Sequence, residues 1–359
     1  MALMVVGGVV IVILAVLLWS RSLSVEGTAL EAPPKLPFEF RFQPLDHPAL
    51  DLLRRRENLD AVVAGSQDRF GKLVRLCNWT RQQWEPGDPK PYPPWNALAI
   101  LDLIRTKKTG GFCAQYAQVF AQSCLAFGWQ ARYIESGPTT DPCAHYTAEI
   151  WVDPLGKWVL LDPFNDVWFE RQGRPLSGLE VHRALVTGVE ASIVVRGGPD
   201  GAVVQEPRRR TLIESFYYIR LHLRADHLSR PEGPFEWKDK VDWTDPQTVR
   251  WPHSTITNPA VPKGPTAPML VKDSDIFDFA INRAIAEIQG NRLLGRAEVH
   301  LTQVMPSFRH YLVRVGDGER RVLEADRFEV PLEGNAIRVE IVPVNIRGAE
   351  GVPARLVIK

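Results

Sequence analysis

At Gly128 the hydrophobic period of the chain changes, and this switch restricts the possible folds more than any other feature. Upstream, Leu52, Leu53, Leu59, Val62, Phe70, Leu73, Leu76 and Cys77 recur at helical spacing and predict helix over about 49–81. A proline-studded loop covers 84–94, and a short helix follows over 95–104. Gly110-Gly111 breaks the chain, after which a strongly apolar helix from Cys113 to Phe127 closes on Gly128 as its C-terminal cap. Downstream the spacing is that of strands, over 130–135, 146–152 and 158–161, the last two joined by the turn Asp153-Pro154-Leu155-Gly156. Helices first and paired strands after them give an α+β fold class.

A helix over about 178–186, a strand over 192–196 and a helix over about 213–227 complete this domain, whose bounds are set at 49–230. Residues 231–268, rich in Pro, Trp and Asp, read as an irregular linker or a lid over a site. Short strands then recur over 296–302, 309–315, 320–323, 327–330, 336–344 and 354–358, with glycine-bearing turns between them. That spacing predicts an antiparallel β-sandwich of the immunoglobulin or fibronectin III-like sort over 269–359.

The N-terminus is uncharged from Ala2 to Trp19. Such a run spans roughly 27 Å as a helix, just enough for the hydrocarbon core of a bilayer. A membrane anchor, a cleaved signal peptide and a buried core helix compete over 1–20. No polar residue interrupts any face, which argues against the core helix, and no Lys or Arg precedes the run as a signal peptide would have it. A single-span transmembrane helix is the favoured reading, with the soluble part extracytoplasmic. Residues 21–48, with Ala32-Pro33-Pro34-Lys35-Leu36-Pro37, read as the spacer off the membrane.

Lys and Arg total 43 against 42 Asp and Glu, so no charge excess points to a nucleic-acid partner. Four cysteines in 359 residues cannot form a disulfide scaffold, so at least one invites a chemical reading. Cys113 opens a helix, where the positive end of the helix dipole favours a thiolate. His145 begins a strand and Asp162 ends the next one. Two antiparallel strands joined by a tight turn can set a His beside an Asp, and the helix start can bring the thiol to the other ring nitrogen. Against this stands the plain alternative of a buried apolar Cys and a structural His.

Four blocks in a fixed order add to the spacing: Gly111-Phe112-Cys113-Ala114-Gln115-Tyr116-Ala117, Gly128 to Arg132, His145 with Glu149, and Trp158-Val159-Leu160-Leu161-Asp162-Pro163. Together, over about 73–186, they resemble the transglutaminase-like superfamily, which includes microbial transglutaminase-core proteins and peptide N-glycanases. The resemblance implies a papain-like core with Cys113 as nucleophile, His145 as base and Asp162 as orienting acid. It departs where many members carry His-x-Trp, since Tyr146-Thr147 follows His145 here.

An oxyanion donor is also needed, because the tetrahedral intermediate carries its charge on oxygen. The Cys113 backbone N–H is one candidate. Animal transglutaminases use an upstream Trp indole, and Trp84 sits in a similar place, with an aromatic plug under the loop as its other reading. Gly111, Tyr116 and Tyr146 are candidates for lining the substrate cleft, and Gln115 is a weaker candidate for the oxyanion.

The remaining cysteines read as structural. Cys124 is about 16 Å from Cys113 by helical rise, too far for a disulfide, and Cys77 falls on an apolar face. Cys143 is either an idle thiol or a redox partner for Cys113. The histidines are scattered, with His222 and His227 wrongly spaced on a helix to share a metal, so neither metal nor cofactor is expected. Glu135 and Asp141 either tune His145 or line its loop.

The expected function is attack by Cys113 on an amide or ester carbonyl of a protein or peptide. Water or an amine then resolves the acyl-enzyme, making a hydrolase (peptidase or amidase) or an acyltransferase. Two alternatives stand beside it. One is an idle envelope-binding module, which has no need of all three residues. The other is an arylamine N-acetyltransferase relative, which the Asp162-Pro163 and Gly128–Arg132 blocks fit less well.

Overall fold

A computed structural model describes residues 23–28, 30–138, 145–229, 248–250, 269–291 and 295–359. The expected membrane helix over 1–20, Asp141, Cys143 and most of 231–268 lie outside the described residues. Among the described residues no helix is long and apolar enough to cross a membrane. The chain divides into two units, Pro34–Ala280, and Ile281–Lys359 together with the residues up to Pro33.

The first strand, β1 (Val25–Gly27), belongs to the second of these units. The unit Pro34–Ala280 opens with helices α1 (Pro48–Arg56), α2 (Leu59–Val63), α3 (Arg69–Arg81) and α4 (Ala97–Arg105). The predicted helix over 49–81 is thus three helices. Asn58 takes the left-handed region (φ 49°) and ends the first turn of chain, and Asp68 starts α3 afresh by accepting the Gly71 N–H at 2.9 Å. Asn96 caps α4 in the same way, accepting from Leu98 and Ala99.

Helix α5 (Cys113–Leu125) is the centre of this unit, and every one of its residues is buried. Side chains such as Phe120 and Leu125 each contribute about 1.5–3 kcal/mol by burial. Polar members are matched internally: Gln122 accepts the Ala97 N–H at 2.7 Å and donates to the Trp95 carbonyl at 2.9 Å. The Tyr133 hydroxyl donates to Gln118 at 2.9 Å.

The sheet beside α5 contains β2 (Ala131–Gly137), β3 (His145–Val152), β4 (Lys157–Asp162), β5 (Val167–Arg171), β6 (Arg174–Pro175), β7 (Val194–Gly197), β8 (Ala202–Val203), β9 (Tyr218–His222), β10 (Thr248–Arg250) and β11 (Met269–Leu270). Its order is β11-β10-β9-β2-β3-β4-β5-β7-β8, with β6 on β5. Pairing is antiparallel except between β10 and β11. Helix α6 (Gly178–Val186) starts in a capping box of Ser177 and Glu180.

The predicted helix over 213–227 is corrected. Helix α7 (Arg208–Glu214) ends before Ser215, and Tyr218–His222 forms strand β9 against β2. The run Phe216-Tyr217-Tyr218-Ile219 favours a strand, and pairing with β2 overrides the apolar spacing. In the final segment of this unit, α8 (Ser274–Phe277) leads Phe277 and Phe279 into the core. There the buried Arg132 binds Glu149, the Phe277 carbonyl and Asp278, and Asp278 in turn accepts from Ser177 Oγ.

The second unit is a β-sandwich. Its strands are β12 (Ala284–Asn291), β13 (Arg296–Gln303), β14 (Phe308–Val315), β15 (Arg321–Leu323), β16 (Arg327–Pro331), β17 (Ile337–Asn345) and β18 (Ala354–Ile358). One sheet runs β12-β13-β16 and the other β1-β18-β17-β14-β15, all antiparallel. Alternating residues of both sheets meet in one core, among them Val299, Tyr311, Phe328, Val339 and Leu356. Residues 25–27, read from sequence as spacer, pair instead with β18, and residues 34–48 belong to the helical unit. The first core strand, β12, went unread although Ala284, Ala286 and Ile288 alternate with outward Glu287 and Gln289, because two of its three core-facing residues are alanines, which give a weak strand signal.

Candidate active site

Three elements converge on one place. Helix α5 presents Cys113 at its first position, β3 presents His145 at its first, and β4 ends on Asp162. The strand register explains the last two: β3 and β4 pair Ala148 with Leu161, so the start of one strand lies by the end of the other. His145 Nε2 is 2.8 Å from Asp162 Oδ2. This leaves Nδ1 for Cys113, whose side chain lies near enough to the ring to favour its protonated form.

Asp162 is held on every side. Its Oδ1 accepts the backbone N–H groups of Phe164 (3.1 Å) and Asn165 (3.2 Å), and Oδ2 accepts Asn165 Nδ2 at 2.8 Å. The turn Asp162-Pro163-Phe164-Asn165 thus folds around its own first side chain. Phe164 covers His145 edge-on, with ring centroids 5.9 Å apart. Asn165 is in turn fixed through its carbonyl, which accepts from Arg208 at 3.1 Å.

Burial alone would lower the His145 pKa, but the Asp162 carboxylate overrides it, and with help from Cys113 the ring is pushed up to about 10. Burial would likewise raise Asp162, and the charge and hydrogen bond of His145, with those of Asn165, hold it below the usual aspartate range instead. At neutral pH the pair is therefore an imidazolium on a carboxylate. Asp166 lies nearby and is raised by burial, although Asn78 Nδ2 donates to it at 2.7 Å.

Trp84 does not present a free donor. Its indole N–H is committed to the Gly111 carbonyl at 3.2 Å, and its ring stacks on Tyr116 with centroids 4.1 Å apart. This is the plug arrangement, the other of the two readings that the sequence leaves open for Trp84. Gly111 is needed because a Cβ there would lie 2.8 Å from Trp84 Nε1 and 2.6 Å from Ile104 Cδ1. Its role is close packing rather than lining a cleft.

Tyr116 is fully buried, its hydroxyl donating to the Trp84 carbonyl at 2.5 Å, so it too is a strut and not a cleft wall. Tyr146 is also buried, against Trp95, Tyr133 and His222. Strand alternation explains this, since Tyr146 points to the other face of β3 from His145. Glu135 pairs with Arg220 and His222 rather than with His145.

Cys77 and Cys124 are free and buried, and burial pushes both thiols well above the ordinary range. Among the described residues no group of His, Cys, Asp and Glu is arranged to hold a metal ion. Sequence reasoning missed Asn165 and Phe164 as supports of the pair. The Asp-Pro-x-Asn turn was their available signal.

Residues 57–163 match the family model of the transglutaminase-like superfamily. A search of curated proteins finds no match. One solved structure similar to this chain is the Clostridium perfringens spore cortex lytic enzyme SleM, at 13% identity and a TM-score of 0.17. The match covers 28% of this chain and 42% of that one, so the chain spans under half of that structure's length, and a likeness this slight carries no argument. The stretch containing Cys113, His145 and the end of β4 is a transglutaminase-like superfamily domain.

Proposed function

We propose that the chain is a transglutaminase-like cysteine enzyme acting on an amide or ester carbonyl of a protein or peptide. The observation that carries this reading is the 2.8 Å pairing of His145 Nε2 with Asp162 Oδ2, with the other ring nitrogen left to a thiol at a helix start. A retired site has no reason to keep a buried carboxylate saturated with donors around an imidazolium.

In the proposed reaction the thiol proton resides on His145, and the Cys113 sulfur attacks the carbonyl carbon. Asp162 stabilises the imidazolium and fixes its orientation. Collapse of the tetrahedral intermediate breaks the carbonyl–leaving-group bond, and His145 delivers the proton to the departing amine. Water or a second amine then attacks the acyl-enzyme, with His145 taking its proton. The uncharged run Ala2–Trp19 supports membrane anchoring.

The test is iodoacetamide labelling of the full-length protein at pH 7, with sites mapped by mass spectrometry. Cys113 should label far ahead of the buried Cys77 and Cys124, and His145→Ala should slow it about tenfold or more. A Cys113 rate that equals a small free thiol's, and that ignores His145→Ala, rejects the enzyme reading.

A further inference from the structure

The Phe164 ring meets two rings of the candidate site. Its centroid lies 5.9 Å from that of His145 and 5.6 Å from that of Tyr116, with planes 62° and 80° apart. Cys113 and Tyr116 are three residues apart on α5 and so share one face of that helix. Phe164 therefore bridges the helix face that carries the thiol and the imidazole that serves it. Both Phe164 and His145 keep some exposure, 12% for the His145 side chain, so a molecule that reaches His145 meets Phe164 as well.

The ring is fixed from several sides. The backbone N–H groups of Phe164 and Asn165 are committed to Asp162, and the Asn165 carbonyl accepts from Arg208 at 3.1 Å. Asp166 follows in the left-handed region (φ 54°), where its Oδ2 accepts from Asn78 Nδ2 at 2.7 Å. Tyr116, stacked on Trp84 with centroids 4.1 Å apart, backs the ring from below. Pro163 has no N–H, so over 163–165 the turn offers a substrate an aromatic ring and no free backbone donor.

We propose, resting on the enzyme reading above, that Phe164 is a specificity-determining residue that selects an apolar or aromatic group on the departing side of the scissile bond. The departing atom takes its proton from His145 and so comes within hydrogen-bond reach of that ring. Its substituent is thereby carried past Phe164. Apolar surface covered there strengthens binding in proportion to its area, and a ring adds an aromatic contact. A charged substituent loses water against the ring and gains no partner.

Two thioesters whose leaving thiols are nearly equal in acidity test this, S-benzyl thioacetate and the acetyl thioester of N-acetylcysteamine. With either, the Cys113 sulfur takes the acetyl group, the bond from the carbonyl carbon to the leaving sulfur breaks, and His145 gives its proton to that sulfur. Thiol release is followed on the full-length protein, each rate divided by that of N-acetylcysteine with the same ester. Wild type should favour the benzyl ester about tenfold. Phe164→Ala should cut that preference about fivefold, the size of one aromatic contact. Lost support for His145 would slow both esters alike and leave their ratio in place. Phe164→Leu, which keeps apolar volume without the ring, should hold an intermediate ratio and serves where the Ala variant is unstable. The proposal is overturned if wild type shows no preference, or if the variants that fold keep the wild-type ratio. Failure of the enzyme reading looks different: wild-type Cys113 would then react with both esters no faster than N-acetylcysteine, and the proposal falls with it.

Discussion

His145 and Asp162, on adjacent strands, are joined at 2.8 Å through Nε2 and Oδ2. The pair sits in a nearly closed environment, with the Asp162 side chain 2% exposed. Its ionisation is therefore coupled to folding.

The pH dependence of stability follows from that coupling. His145 titrates near 10 when folded and near 6.5 when unfolded. Its contribution is complete below pH 6.5, declines as the pH rises above that value, and is gone once the pH passes 10. Thermal unfolding of the wild type should thus lose stability between pH 7 and 10 more steeply than His145→Gln does. Parallel curves for the two proteins would mean that the ring is not held as an imidazolium.

Asn165 is expected to act through Asp162. Asn165→Ala removes a hydrogen bond to a carboxylate, worth about 1.5–3 kcal/mol. Cys113 labelling should slow about tenfold at pH 7 as the imidazolium loses its fixed partner, and Asn165→Asp, which adds a like charge, should slow it further. Rates equal to wild type in both variants would remove Asn165 from the assembly.

Gly111→Ala tests the contact beneath the helix start. The new methyl would meet Trp84 Nε1 and Ile104 Cδ1 well inside contact distance. Displacing them should cost about 1–3 kcal/mol in chemical denaturation. Indole fluorescence should shift as Trp84 leaves the Gly111 carbonyl. A variant as stable as wild type would show that the indole moves aside freely.

Arg132 is buried with Glu149 and also reaches Asp278. Arg132→Met leaves those carboxylates uncompensated and should destabilise by about 3–5 kcal/mol. Adding Glu149→Gln should recover part of this, because the amide oxygen can still accept the Gly178 N–H that Glu149 now binds at 2.6 Å. A double variant no better than the single one would contradict an electrostatic origin.

Legibility in the sequence varied with how local each cause is. That His145 and Asp162 meet was legible because a tight turn joins their strands, and Cys113 was singled out with them by the blocks that resemble the superfamily. Tyr218–His222 was misread because its partner strand β2, far back in the chain, decides its conformation. Trp84 looked like a donor because only loop closure brings the Gly111 carbonyl to its indole. Tyr116 and Tyr146 were assigned to a cleft from proximity in sequence to Cys113 and His145, yet side-chain direction turns both into the interior.

The pairing of β1 with β18 has a consequence for biosynthesis. Val25 aligns with Ile358, and Ser24 and Lys359 exchange backbone hydrogen bonds at 3.1 and 2.8 Å. The unit Pro34–Ala280 is therefore an insertion between two parts of the sandwich sequence. A ribosome completes the inserted unit before any of β12–β18 exists, so that unit can fold while Val25–Gly27 still lacks its partner. The β1 edge of the sandwich closes only when Ala354–Ile358 emerges, so a strand made after the inserted unit fastens one made before it.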